Sequence, residues 1–261
     1  MRQFTINNAL AILAASVALA SCGGGGGSSS SAAPSPPPPP DLGKAEGLWN
    51  GTTGSGRSIS GLVLDNGTYW FLYTAVGNNA VLGGAIQGEG TSSSGKFASS
   101  NGMDFNLEGL GINAFTLAGT YTAKSQLGGT LTYIGGTTNT FTSTYDTDYD
   151  LTPSLATIVG TYSGAAVTAD SSSPEAATIT VAGGGAITGT SAGGCSFTGA
   201  ASTHAKGNVY DVSVTFGGGV CTNGTSTVTG VAYFIAAQKQ LVSTALNSGR
   251  TNGFLFVGVK P

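Results

Sequence analysis

The sequence predicts an all-β protein: two small antiparallel meander domains, each a barrel of about eight strands, behind a signal peptide and a flexible tether. Three observations predict it. After residue 41 no apolar repeat at helical spacing persists beyond two turns, and glycine, 44 of 261 residues, interrupts almost every stretch. Short runs alternate apolar and polar residues with the two-residue period of half-buried strands. Turn-forming pairs fall between those runs, so consecutive strands follow one another as hairpins.

The chain opens with one positive charge, Arg2, and an apolar run from Ala9 through Ala20 broken by Ser16. Too short to span a bilayer, it reads as a signal peptide over residues 1–21. It ends Leu19-Ala20-Ser21-Cys22, which resembles the lipobox of bacterial lipoproteins. The resemblance implies cleavage before Cys22 and acylation of that cysteine, palmitate included. Three acyl chains at about 0.8 kcal/mol per buried CH₂ anchor stably where one would not. Gly23 rather than aspartate follows, which in that family implies sorting to the outer membrane. An ordinary secretory cleavage site in front of a cysteine is the alternative. Residues 22–45 then supply glycines, serines and the five prolines Pro36 to Pro40. This composition builds no core and reads as a tether, flexible in its Gly/Ser part and a polyproline II spacer of about 3.1 Å per residue in its proline part.

The body is long enough to bury a substantial core. Charged residues make up 8% of the chain against a usual ~25%, and threonine, serine, asparagine and glycine take the polar positions. With net charge -3 and nine Lys and Arg without a cluster, a nucleic-acid partner is excluded.

The first domain, residues 46–152, starts at Gly47-Leu48-Trp49-Asn50-Gly51. Asn66-Gly67 lies between Leu62-Val63-Leu64 and Tyr69-Trp70-Phe71-Leu72-Tyr73, a strong hairpin signal. The run from Tyr69 to Tyr73 is apolar on both faces, so the other domain is a candidate cover for its outer face. Phe115, Leu117, Gly119 and Tyr121 share one face, as do Leu127, Gly129, Leu131 and Tyr133. Asp146, Asp148, Asp150 and Pro153 interrupt the pattern and mark the join.

The second domain, residues 153–261, repeats the opening as Gly160-Thr161-Tyr162-Ser163-Gly164. Tyr210, Val212, Val214 and Phe216 face one way and Asp211, Ser213 and Thr215 the other. Gly183-Gly184-Gly185, Gly217-Gly218-Gly219 and Asn223-Gly224 read as turns. Closure into barrels removes exposed sheet edges; one larger sandwich, or a barrel shared between the halves, is the alternative. Polar outward faces such as Thr178 and Thr180 exclude a membrane-spanning barrel.

Cys195 and Cys221 remain after Cys22, and in an oxidising compartment they are expected to pair. A metal site is the alternative, but the chain has one histidine, His204, and no Cys-x-x-Cys. Asp146, Asp148 and Asp150 begin like a calcium loop, yet Leu151 and Thr157 stand where an EF-hand needs glycine and glutamate. They remain metal candidates beside the alternative of a solvated linker. Ser55-Gly56-Arg57 and Ser248-Gly249-Arg250 recur; each arginine either binds an anion or caps a barrel end over an aromatic ring. For an enzyme, chemistry would route through His204 or through carboxylates such as Glu89, Asp104 and Glu108, which spacing does not bring together. No cofactor is implied.

Gly47-Leu48-Trp49 resembles the opening strand of lipocalins, which implies a barrel carrying a small apolar ligand; otherwise Trp49 plugs a packed barrel end. The closing segment Gly253-Phe254-Leu255-Phe256-Val257-Gly258-Val259-Lys260, after a glycine-rich meander, resembles the barrel domains of transferrin-binding-protein-B-like surface lipoproteins. That resemblance implies a lipid-anchored protein binder and places no contact residue. The leading expectation is a non-catalytic surface or periplasmic lipoprotein of the outer membrane that binds a protein or glycan on exposed loops. A carrier of a small apolar ligand, with room left by Gly119 and Gly129, is the alternative, and a hydrolase of unknown type the third.

Overall fold

The structure, a computed structural model, describes residues 43–168 and 173–261. The expected signal peptide, Cys22 and the expected tether as far as residue 42 lie outside the described residues. The described chain is strand almost throughout, with short helical turns at Thr147–Asp150, Leu155–Ile158 and Ala236–Gln238.

The first nine strands are β1 (Gly47–Thr53), β2 (Ser58–Val63), β3 (Thr68–Ala75), β4 (Asn78–Glu89), β5 (Thr91–Ser93), β6 (Lys96–Asn106), β7 (Gly111–Thr122), β8 (Gln126–Tyr133) and β9 (Thr138–Asp146). Except for β4 and β5, consecutive strands pair antiparallel, and β9 returns to β1 with Trp49 opposite Tyr145. β4 pairs with the end of β6, Ile86 opposite Asp104, while β5 pairs with its start, Thr91 opposite Ala98. β4 and β5 thus act as one bent strand that closes an eight-stranded barrel. The second barrel is closed by β10 (Gly160–Thr168), β11 (Glu175–Val181), β12 (Ala186–Ser191), β13 (Ser196–Thr203), β14 (Tyr210–Phe216), β15 (Thr227–Ile235), β16 (Gln240–Leu246) and β17 (Gly253–Val259).

Turn chemistry sets this meander. At Asn66-Gly67 the Leu64 N–H donates to the Thr68 carbonyl at 2.8 Å and the Gly67 N–H to the Leu64 carbonyl at 3.0 Å. Gly67 sits at φ +90°, the three-residue hairpin whose last position needs a left-handed backbone. The same bonds recur around Gly185. Asn223-Gly224 and Gly217-Gly218-Gly219 are turns as expected, but of one connection. They lie together in the connection 217–226, where the Gly224 N–H donates to the Cys221 carbonyl at 2.8 Å and Asn223 Nδ2 to the Gly253 carbonyl at 3.2 Å. The pair shapes a longer loop because β15 does not resume until Thr227.

The two openings play equivalent roles. Trp49 and Tyr162 are both fully buried, and each donates to the carbonyl four residues earlier, Trp49 Nε1 to Ala45 at 3.0 Å and Tyr162 Oη to Ile158 at 2.8 Å. Each aromatic thereby plugs its barrel end with its polar atom satisfied.

Between the barrels lies a third apolar cluster. Trp70 and Leu72, on the outer face of β3, pack with Leu62 and Leu64 into the outer faces of β15, β16 and β17. Val231, Tyr233, Val242, Leu246 and Leu255 receive them. The second barrel is the cover that the two-sided apolar run of β3 calls for. Polar links flank this cluster: Arg250 Nη2 donates to the Gln87 carbonyl at 2.7 Å, and Ser60 Oγ lies 3.3 Å from Tyr233 Oη.

Candidate functional site

The two interiors differ. In the second barrel Phe197, Phe216 and Phe254 pack in sequence, the first pair tilted and the second edge-to-face, with centroids 5.9 and 6.2 Å apart, among Tyr162, Ile179 and Val214. Side chains fill it, as they do many eight-stranded barrels.

The first barrel encloses a cavity of about 530 Å³, within the ordinary size of a small-molecule site. Cross-strand pairing accounts for the space. Tyr69 stands opposite Gly88 and Tyr73 opposite Gly84. A Cβ at Gly88 would come 2.3 Å from the Tyr69 hydroxyl, and one at Gly84 2.2 Å from that of Tyr73, so each ring lies across the bare backbone of its neighbour. Phe115 lies over Gly102 in the same way. Aromatic mass spread along the wall leaves the axis open.

Gly119 and Gly129, expected to leave room, face Phe97 and Phe141 across the ladder, and neither lines the cavity. A Cβ on either would meet backbone at 2.6 to 2.8 Å. They permit close strand approach rather than volume.

The deep wall is apolar: Phe71, Phe97, Leu117, Leu127 and Phe141 with Tyr69. Trp49 is buried in the same apolar cluster as this wall, and at the other end the hairpins around Ser55, Val76, Leu110 and Ile134 surround the mouth. Just inside it stands a polar collar. Asp104, 6% exposed, accepts from Tyr73 Oη at 2.7 Å on one oxygen and from Tyr133 Oη at 2.8 Å on the other. Asn106 Nδ2 donates to Tyr73 Oη at 3.1 Å. Arg57 lies over the Tyr73 ring at 5.3 Å, donates from Nη1 to the Thr74 carbonyl at 2.8 Å and pairs through Nη2 with Glu108 at 2.7 Å.

Burial pushes the Asp104 carboxyl above its ordinary range, against the two tyrosine hydrogen bonds and the nearby Arg57 charge, which pull it down. Burial likewise raises Tyr73 and Tyr133, with the Asp104 charge adding to it. Both phenols therefore stay protonated and donate. The collar can hold a polar group by hydrogen bonds while the deep wall excludes water from an apolar body.

Solved structures of transferrin binding protein B are similar to this chain. A variant from Haemophilus parasuis Hp5 matches at 8% identity over 78% of this chain and 65% of its own, with a TM-score of 0.30. Intact Ap-TbpB, with N and C lobes, matches at 13% over 77% and 54%, TM-score 0.29. The isotype 1 protein of serogroup B Neisseria meningitidis matches at 9% over 79% and 66%, TM-score 0.30. This chain spans between about half and two thirds of the length of those structures. No family model and no curated protein sequence matches it.

The remaining sequence candidates are dispersed. Cys195 and Cys221 form a disulfide with Cα atoms 4.6 Å apart. It ties the turn before β13 to the loop after β14. Asp146, Asp148 and Asp150 do not converge. Asp146 ends β9, caps Asp148 N at 3.0 Å and accepts from Asn50 Nδ2 at 2.8 Å, while Asp150 pairs with Lys124 at 2.6 Å. Among the described residues, no group of three or more His, Cys, Asp or Glu could hold a metal ion. Of the carboxylates weighed for catalysis, Asp104 and Glu108 meet at the collar, while Glu89 lies at the other end of β4, hydrogen-bonded through its N–H to Asn101. Arg57 stacks on an aromatic ring, whereas Arg250 reaches the other barrel. His204 lies at the barrel interface, Nδ1 2.7 Å from Asp211 and Nε2 3.3 Å from Asp65.

Proposed function

We propose that this is a non-catalytic binding protein, anchored in the outer membrane through lipid on Cys22, that carries a small, largely apolar ligand inside its first barrel. The observation that carries this reading is the cavity of about 530 Å³, apolar in depth and polar at its mouth. Both oxygens of Asp104 are engaged by tyrosine hydroxyls, an arrangement suited to orienting a ligand rather than moving protons. The anchoring rests on Leu19-Ala20-Ser21-Cys22.

The test is binding of N-phenylnaphthylamine, a neutral apolar fluorophore, together with native mass spectrometry of the protein taken from its producing cells. Leu131 lines the cavity, and Leu131→Trp puts an indole into it. Saturable binding and a retained small molecule are expected in the natural protein, with affinity at least about tenfold weaker in the variant. Absence of both signals would sink the carrier.

A second reading is favoured by the mouth itself, where Leu110 is 73% and Ile134 86% exposed beside Val76. Aliphatic side chains at hairpin tips are surface a protein partner would cover. Pull-down with Leu110→Ser and Ile134→Ser as controls separates this reading from the carrier, because those changes leave the deep wall intact.

A further inference from the structure

We propose that the cavity selects amphiphiles by head-group charge: it takes a hydrocarbon body whose polar end is a hydroxyl or an ammonium group seated on Asp104, and it rejects carboxylate or phosphate heads. This rests on the carrier reading and adds the ligand's chemical class and orientation.

Orientation follows from where polarity sits. The deep wall around Phe97, Leu127 and Phe141 offers a head group no charged partner, whereas Asp104, Asn106 and Arg57 gather at the mouth. A ligand therefore enters apolar end first.

Charge follows from what is already taken. Arg57 is the cation lining the cavity, and it is committed three ways: to Glu108 at 2.7 Å, to the Thr74 carbonyl at 2.8 Å and to the face of Tyr73 at 5.3 Å. An anionic head would have to draw the guanidinium out of that pair and would then face Asp104 and Glu108 together. Asp104 has capacity to spare. Its two oxygens each accept one tyrosine hydrogen bond, and a carboxylate offers about four lone-pair sites. The free sites accept N–H or O–H donors from a ligand. Burial disfavours the charged form of this carboxyl despite Arg57, and an ammonium head beside it would favour the ionised form by direct attraction. A hydroxyl supplies a donor without adding repulsion.

The experiment uses the mature chain from residue 22 with Cys22→Ser, which removes the acyl anchor and keeps every described residue. Dodecylamine, dodecanol and dodecanoate, which share one chain length and differ in head charge, compete with N-phenylnaphthylamine below their micellar concentrations. The amine and the alcohol are expected to displace the fluorophore, and dodecanoate to compete roughly tenfold or more weakly. Glu108→Gln on the exposed rim releases Arg57 and is expected to narrow that gap by strengthening dodecanoate. Asp104→Asn is expected to remove the advantage of the amine. Dodecanoate binding as tightly as the other two, or no displacement by any of them while the fluorophore still binds, overturns the head-group selection and leaves the carrier standing. Failure of the fluorophore itself to bind removes the carrier and this inference together.

Discussion

At the residue scale, His204 shows how much one side chain can report. Burial lowers an imidazolium pKa, but here hydrogen bonds and charge from Asp211 and Asp65 outweigh it and hold His204 above its ordinary value. A histidine with a raised folded pKa stabilises the fold fully below its unfolded pKa of about 6.5, and that contribution fades as pH rises through the folded pKa. His204→Gln is therefore expected to lower stability by about 0.5–1 kcal/mol near pH 5.5 and by much less near pH 9. The size is modest because Asp211 is half exposed and screened. Urea midpoints of both proteins at the two pH values check this; an equal loss at both would mean the ring acts by packing alone. Asp104 contributes with the same sign in a lower window, since its raised carboxyl pKa makes folding less favourable as pH rises from the ordinary aspartate value of about 3.9 through the folded one. Comparing variant with parent isolates the histidine.

At the element scale, β3 carries the two loads of the fold, its inner face lining the cavity and its outer face the barrel interface. Trp70, 7% exposed, sits on the outer face. Trp70→Ala is expected to cost about 3–5 kcal/mol, the range for emptying a buried aromatic site. Thr68→Ala, on the same strand and half-buried, should cost well under half of that in the same urea titration. Equal effects would mean the second barrel does not cover this face. The strand was legible because its composition is local: five apolar residues in a row after Asn66-Gly67 admit little else. Alternation in β14 was legible for the same reason, and its buried and exposed positions fall on the predicted faces. The bent pair β4 and β5 was not, because only its pairing with β6 shows that two segments act as one strand. Register hid the cavity as well. Tyr69 against Gly88 is a cross-strand relation, and Asp104 meets Tyr73 and Tyr133 from 31 and 29 residues away. The nearest signal in the sequence was the glycine spacing Gly84, Gly88 on β4, which leaves alternate inward positions bare opposite a strand of tyrosines.

At the scale of the whole molecule, a filled barrel stands against a hollow one, and their stabilities are coupled through the apolar cluster between them. Separation would return Leu62, Trp70, Leu72, Val242 and Leu255 to water, each worth about 1.5–3 kcal/mol when buried. That sum is comparable to the whole stability of an ordinary domain, about 5–15 kcal/mol, so neither barrel is expected to survive the unfolding of the other. The disulfide gives a clean way to perturb one side only. Cys195 and Cys221 close 26 residues of the second barrel, and in the chain-entropy model such a closure contributes about 3–4 kcal/mol. Reduction leaves every residue of the first barrel unchanged. Even so, it is expected to lower the temperature at which the first barrel releases N-phenylnaphthylamine, by the same interval that it lowers the calorimetric transition. A release temperature unmoved by reduction, with a second calorimetric peak appearing below it, would show that the hollow barrel stands alone. The interface argues for the first outcome, because the strand that supplies the cavity with Tyr69, Phe71 and Tyr73 also supplies the second barrel with Trp70 and Leu72.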